Sequence, residues 1–210
     1  MCFNAEVSFT TYIIGTISSV ILALKGFPKE AIFYFFIIQM QLVEYFLWND
    51  QTCNDFNKLI TKFGIILNHL QPIILYLLIK YFNDGRTFNL PKWINMFVII
   101  YTIASIYYTK YVMNNECSLV TPESSPHIEW LWNNTEYGNL YYCLFIIVMT
   151  LLVYYGLSNG SIHASIIVIG YVVSFILYYK KKSIGSLWCF YAAFTPLLLS
   201  FLYSSNIYQT

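Results

Sequence analysis

The charged residue with the clearest chemical use in this sequence is Glu44, which lies inside a long apolar stretch. Gln41, Glu44 and Trp48 follow each other at i, i+3 and i+7, so they share one face of a helix. An ionisable group at the centre of a membrane helix costs about 2.5–3.5 kcal/mol, and such groups therefore mark ion or proton pathways. Glu44 is accordingly the first candidate for binding or relaying a proton or cation.

A second polar point precedes Pro72 in the next apolar stretch, where Asn68 and His69 are followed by Gln71. Proline has no backbone N–H, so this pattern frees the carbonyl of Asn68 beside His69. Helical rise places Glu44 roughly 9 Å from one membrane surface. His69 is expected near the middle of the membrane or somewhat toward the same surface. We therefore expect a cavity that opens on this surface, with Glu44 in its wall and His69 as a second candidate.

Two other interpretations of these residues stay open. Polar side chains between membrane helices often serve only as interhelical hydrogen bonds, worth about 0.6 kcal/mol each, and the protein would then be a non-transporting sensor or interaction protein. The second interpretation is a metal site, although its possible ligands include no local pair such as Cys-x-x-Cys. The four residues with suitable ligand atoms are Cys2, Glu6, Glu44 and His69. The remaining histidines, His127 and His163, are expected to be surface or capping groups.

The composition indicates that a lipid bilayer surrounds these residues. Of 210 residues, 58% are hydrophobic and only 10% are charged, whereas about a quarter of an average soluble domain is charged. So few charges could not cover a soluble bundle of this length. The formal net charge of +1 gives no concentrated basic face, which excludes nucleic acid as a partner. We predict a single, integral membrane domain.

Seven segments have the roughly 20 predominantly apolar residues that a membrane-spanning helix needs. They cover residues 5–25, 28–49, 55–82, 91–112, 139–157, 161–179 and 184–203. Asn4 is a suitable N-cap for the first helix and Gly26 a suitable stop, while Pro28 and Pro91 suit first helical turns. The sequence therefore predicts an all-α bundle of seven transmembrane helices. The one long polar connection, residues 114–137, contains Trp130 and Trp132, which we interpret as interfacial anchors.

The orientation of the chain depends on its connecting loops. We call the membrane side that bears the N-terminus side A and the opposite side, which bears the C-terminus, side B. Cys53 and Cys117 both fall in side A loops and could form a disulfide, and Asn133 begins a glycosylation sequon on the same side. These features favour an external N-terminus and an internal C-terminus. A run of three lysines at 180–182 on side A argues the reverse.

Three separated stretches resemble an uncharacterised multi-pass membrane family whose members commonly open Met-Cys-Phe-Ser-Ala-Glu-x-Ser-Phe. They are Met-Cys-Phe-Asn-Ala-Glu-Val-Ser-Phe at 1–9, Gln-Leu-Val-Glu-Tyr-Phe-Leu-Trp at 41–48 and Ser-Leu-Trp-Cys-Phe at 186–190. The chain departs from the family pattern at Asn4 and Tyr45. The resemblance implies six or seven membrane helices without an established activity. It coincides with Cys2, Glu6 and Glu44, and it adds Trp188 to the candidate residues.

The sequence lacks the signature residues of several other classes of membrane protein and enzyme. The last apolar segment has no lysine to form a Schiff base, so retinal is not expected as a cofactor. Asp-Arg-Tyr and Asn-Pro-x-x-Tyr are missing, which argues against a G-protein-coupled receptor. No Gly-x-Ser-x-Gly or His-Glu-x-x-His occurs, and an enzyme is not predicted. The leading prediction is a transporter or channel-like protein for a proton, cation or small solute, open on side A.

Overall fold

The structure, a computed structural model, describes residues 4–82, 90–114, 117–122, 127–133, 135–178 and 184–203; of residue 178 and residues 184–189 only the backbone is described. The all-α prediction is confirmed, and each helix begins and ends within one residue of its predicted bounds. The helices are α1 Ala5–Leu24, α2 Pro28–Asn49, α3 Asp55–Tyr81, α4 Lys92–Val112, α5 Gly138–Gly156, α6 Gly160–Tyr178 and α7 Ile184–Leu202.

Local side-chain chemistry explains where the first helices begin and end. The Asn4 side chain accepts a hydrogen bond from the Val7 N–H at 2.8 Å, and Asn54 accepts one from Asn57 at 2.9 Å. Both are N-caps that satisfy backbone donors left free at a helix start. Gly26 follows α1 with a φ of 88°, a conformation that glycine adopts without strain.

Within the described part of the chain, five helices are long and apolar enough to cross a membrane. They are α1, α2, α3, α5 and, over residues 160–177, α6. In α7 the apolar stretch described is shorter, Phe190–Leu202. Asparagine, lysine and tyrosine residues dilute the apolar character of α4. Several large apolar side chains also face outward, among them Ile17, Leu24, Ile106 and Ile169, as expected of a surface in contact with lipid.

The helices pack as one bundle in which α2 contacts α1, α3 and α7, while α5 contacts α3, α4 and α6. Gly15 of α1 marks the closest approach of three helices. A Cβ atom at this position would lie 2.8 Å from the Ile38 side chain of α2 and 2.9 Å from the Ala193 carbonyl oxygen of α7. Only glycine lets these helices meet at this distance.

Replacing Gly15 with leucine should lower the stability of the bundle. The added side chain must displace the α7 backbone, and overpacking of this kind costs about 1–3 kcal/mol. Ala23→Leu is the matched control because Ala23 lies on the same helix but is exposed. We expect the melting temperature in detergent to fall for Gly15→Leu and to stay unchanged for Ala23→Leu; equal melting temperatures would contradict the packing described.

The long connection between α4 and α5 folds back onto the side A end of the bundle. Strand β1, Leu119–Val120, pairs antiparallel with β2, Ile128–Glu129, and a 3-10 helix follows at Leu131–Asn133. We call residues 117–122 and 127–133 the side A cap. Cys117 of the cap forms a disulfide with Cys53, with their Cα atoms 5.4 Å apart.

The two tryptophans of the side A cap are not interfacial anchors. Trp130 and Trp132 are 1% and 0% exposed, and their rings stack with centroids 4.9 Å apart. The Trp132 ring is within 3.8 Å of the Cβ position of Gly64 in α3, where Met40 and Val43 of α2 also approach. The interfacial prediction was wrong because the Trp132 ring packs toward α3 near α2, and the Trp130 ring stacks on it.

Candidate functional site

Glu44 lies on a stripe of α2 that continues far beyond the residues picked out by sequence. The stripe has the regular helical spacing of four and three residues and contains Glu30, Tyr34, Ile37, Gln41, Glu44 and Trp48. Glu44 and Gln41 are completely buried, and Trp48 is half-buried. At its side B half, Tyr34 and Ile37 line a small cavity together with Ala192 and Thr195 of α7. At Tyr34 and Ile37 the stripe therefore lies on the interface between α2 and α7.

Two contacts fix which residues lie at the depth of Glu44. Ile38 and Ala193 meet at Gly15, so these three residues are level with each other. Glu44 is six residues further toward side A, and the same distance along α7 leads to residues 187–188. On α1 it leads to Phe9, whose ring lies 5.1 Å from that of Tyr45. The backbone of Trp188 is thus near the depth of Glu44, although its side chain is outside the described part.

Side A access to Glu44 is closed in this structure. The sequence predicts a cavity that opens on side A with Glu44 in its wall, whereas the Glu44 side chain is 0% exposed. Trp132 of the side A cap lies 3.8 Å from the Cβ position of Gly64, which Val43 of α2 also approaches at 3.0 Å, so the cap lies near this part of α2. Glu44 is therefore an enclosed carboxyl group at one end of a buried stripe.

Hydrogen bonds and the disulfide hold the side A cap in this closed position. The Asn57 amide of α3 donates to the carbonyl oxygens of Asp50 and Ser118 at 2.5 and 3.2 Å, and it accepts from the Ser118 N–H at 3.1 Å. Gln51 accepts from the Val120 N–H at 2.7 Å. The Tyr108 hydroxyl of α4 donates to the Trp132 carbonyl. The cap is thus bonded to α3, to α4 and to the connection between α2 and α3.

His69 is buried and belongs to a different set of contacts from Glu44. Its Nδ1 lies 2.6 Å from the Thr109 hydroxyl of α4, and its Nε2 lies 3.2 Å from the Tyr142 hydroxyl of α5. Beside the Pro72 kink, the His69 carbonyl accepts a hydrogen bond from Tyr101 at 2.8 Å. His69 therefore joins α3 to α4 and α5, and none of these contacts involves the stripe of Glu44.

Asn68 and Gln71 are also buried in α3, with exposures of 2% and 0%. The Oδ1 atom of Asn68 and both polar atoms of the Gln71 side chain make no hydrogen bond to any described residue. Buried amides without partners are costly, at about 1–3 kcal/mol each. Both stand on the α3 face that carries Asn57, Thr61 and Gly64 at helical spacing. This face packs against α2.

Glu6 and Asn133, two further candidates, do not belong to this buried interior. Glu6 is exposed in the first turn of α1, and Cys2 lies outside the described residues. Among the residues that the structure describes, no group of three or more His, Cys, Asp or Glu side chains could hold a metal ion, so Glu6, Glu44 and His69 do not form one. Asn133 of the sequon is half-buried in the 3-10 helix.

A cluster of ionisable side chains at the side B end was missed by the sequence reasoning. Lys29 and Glu30 in the first turn of α2 are 1% and 0% exposed, and His163 of α6 is 0% exposed. The expectation that His163 and His127 are surface groups was wrong, since His127 is only 2% exposed. The regular stripe from Glu30 to Trp48 is the signal that could have identified Glu30, whereas Lys29 lies off this stripe.

Comparison of this chain with protein-family models, with curated proteins and with solved structures finds no match. The resemblance of its opening residues to an uncharacterised membrane family therefore stays a prediction.

Proposed function

We propose that this chain is a seven-span integral membrane protein that moves a proton, cation or small solute along the interface of α2 and α7. The observation that carries the proposal is the complete burial of the Glu44 carboxyl group in a membrane-crossing helix. Because placing an ionisable group inside a bilayer has a high free-energy cost, a transport role is the default expectation for Glu44. Gln41, one turn deeper on the same stripe, extends the polar path away from side A.

In this proposal the structure corresponds to a closed state. The side A cap excludes water from Glu44, and transport requires that the cap move so that Glu44 communicates with side A. His69 serves as a link between helices, because both of its ring nitrogens already engage neighbouring hydroxyl groups. This assignment combines the transport role of Glu44 with the hydrogen-bonding role expected of most polar membrane residues.

The proposed orientation places side A outside. Disulfides persist in oxidising compartments, and the Cys53–Cys117 disulfide lies in the side A loops. The N-terminus would then be external and the C-terminus internal. The lysines at 180–182, which argue the reverse, lie outside the described residues.

The proposal is tested by replacing Glu44 with glutamine, which keeps the size of the side chain but removes its charge. In liposomes that contain the purified protein, flux of the transported species should fall by at least about tenfold, because an interaction with a charged group is lost. Glu6→Gln makes the same chemical change at an exposed position and should transport like wild type. Equal flux for both variants, or no flux in wild type, would overturn the proposal.

A further inference from the structure

On the side B half of the bundle, Tyr34, His163 and Tyr203 form a continuous chain of hydrogen bonds. The Tyr34 hydroxyl lies 2.5 Å from His163 Nδ1, and His163 Nε2 lies 3.2 Å from the Tyr203 hydroxyl. Tyr203 in turn donates to the Ser158 carbonyl at 3.1 Å. Tyr34 and His163 are buried, whereas Tyr203, just beyond the end of α7, is half-buried. The chain therefore leads from the bundle interior to the side B surface.

The donors and acceptors in this chain have a single direction. The hydroxyl hydrogen of Tyr203 goes to the Ser158 carbonyl, so Tyr203 accepts a hydrogen bond from His163 Nε2. Nδ1 then carries no hydrogen and accepts from the Tyr34 hydroxyl. His163 and Tyr203 thus each donate once and accept once, and Tyr34 donates to His163. Neutral imidazole between two hydroxyl groups is an arrangement through which protons can be shuttled.

The inner end of the chain meets a small cavity of about 10 Å³. This volume is close to that of one water molecule. The residues that line it include Tyr34, Thr195 and Ile37, and nearly all of its surface is apolar. Gln41 and Glu44 follow Ile37 on the same stripe of α2. On the stripe of α2, the polar residues Gln41 and Glu44 thus lie on the side A side of Ile37, and Tyr34 lies on its side B side.

We infer that the species moved is a proton, and that Tyr34, His163 and Tyr203 form its passage between the cavity and side B. The inference rests on the proposed transport function and narrows its substrate. A metal cation requires several oxygen ligands at once. A row of single hydrogen bonds beside a cavity the size of one water molecule does not provide such a set of ligands. A proton needs only the hydrogen-bonded file.

Each proton that crosses leaves the three side chains with the same number of hydrogens. The Tyr34 oxygen takes a proton from water in the cavity while its own hydroxyl proton passes to His163 Nδ1. His163 gives its Nε2 proton to Tyr203, and Tyr203 releases its hydroxyl proton to water on side B. His163 then carries its hydrogen on Nδ1, and it returns to the starting tautomer by giving this proton to water and taking another on Nε2 from water of the same side, an exchange that moves no net proton. The reverse sequence carries a proton inward.

Charged and titratable groups surround this passage on several elements. Glu30 precedes Tyr34 by one turn of α2, and its carboxylate accepts from the Ser158 N–H at 3.0 Å. Lys29 is buried next to Glu30. Lys25, in the connection between α1 and α2, donates to the Ser200 carbonyl of α7 at 2.6 Å. These contacts hold the ends of α2, α5 and α7 together around His163, so the passage is fixed in place.

The test removes single hydroxyl groups from the passage. Tyr34→Phe and Tyr203→Phe should each lower proton flux into protein-containing liposomes by about tenfold, because one transfer step loses its hydrogen-bonded carrier. Tyr101→Phe is the matched control, since it removes a buried, hydrogen-bonded hydroxyl outside the passage. It should retain wild-type flux, and all three variants should keep a folded, monodisperse state in detergent.

The outcomes separate this inference from the proposed function. Wild-type proton flux that persists in Tyr34→Phe and Tyr203→Phe overturns the passage and leaves transport intact. Wild-type flux of a metal cation or solute without protons overturns the inference in the same way. Absence of any flux removes the proposed function itself. As a readout independent of flux, nitrogen-15 NMR of His163 should show hydrogen on Nε2 and none on Nδ1; the opposite tautomer contradicts the chain.

Discussion

Replacing Trp132 with alanine is expected to lower the free energy of unfolding by about 3–5 kcal/mol, the usual effect of deleting a large buried aromatic side chain. Trp132 is completely buried, stacks on Trp130 and fills the space beside Gly64 between α2 and α3. Its loss leaves a cavity that rigid helices cannot fully close. Chemical denaturation of the purified protein in detergent, followed by circular dichroism, measures the change.

Trp93→Ala is the control for this experiment because Trp93 in α4 is 44% exposed. It makes the same chemical change at the bundle surface and should cost less than about 1 kcal/mol. Similar losses for the two variants would show that Trp132 does not seal the bundle.

Trp132→Ala should also open side A to reagents in water. A cysteine placed at Val43, in a background where Cys2, Cys143 and Cys189 are serine, should resist a membrane-impermeant thiol reagent while Trp132 is present. Combining it with Trp132→Ala should make it reactive, because the Trp132 ring and Val43 both approach Gly64. Equal reactivity with and without Trp132 would contradict a closed side A cap.

Breaking the Cys53–Cys117 disulfide is expected to have a comparable effect on stability. The two cysteines are 64 residues apart, and a cross-link that closes a loop of this length contributes about 4 kcal/mol in the chain-entropy account. Cys53→Ser should therefore lower the denaturation midpoint strongly. The change should also loosen the side A cap, because Cys117 adjoins Ser118, which Asn57 holds.

Mass spectrometry gives the direct measurement of this disulfide. After denaturation without reductant, an alkylating reagent should leave Cys53 and Cys117 unmodified and should modify the free, exposed Cys143. Cys143→Ser is the matched control for stability and should melt like wild type. Alkylation of Cys53 in the unreduced protein would rule out both the disulfide and the orientation argued from it.

The helices could be predicted closely because their determinants are local. Asn4, Pro28 and Asn54 act on their own first turns, and apolar length alone delimits most of the remaining segments. Whether all seven helices span the bilayer is a different question. It depends on α4 and α7, whose described apolar stretches are the weakest of the set.

The side A cap could not be predicted because its position is set by contacts distant in sequence. Trp130 and Trp132 lie in a polar loop, a context typical of interfacial aromatics. Their burial depends on Gly64, some 70 residues earlier, which leaves room for the Trp132 ring, and on the pairing of β1 with β2. Neither contact has a local signature in the sequence.

The buried candidate residues also fall into two groups: those that local helical spacing predicts and those whose neighbours it cannot predict. Helical spacing placed Gln41 and Glu44 on one buried face, and the structure agrees. Depth alone suggested that His69 could share their site, but depth does not specify which neighbour a side chain faces. His69 faces α4 and α5. The sequence predicts a surface or capping role for His163 as a lone histidine, and only the hydrogen bonds with Tyr34 and Tyr203 reveal its place in the interior.

Proton entry into liposomes that contain the wild-type protein tests the central claim most directly. An internal pH-sensitive dye reports the response to an external acid step, with a potassium diffusion potential to balance charge. We predict acidification that is faster than in protein-free liposomes and that Glu44→Gln removes. Identical acidification with and without the protein, for acid steps applied from either membrane face, would contradict the account.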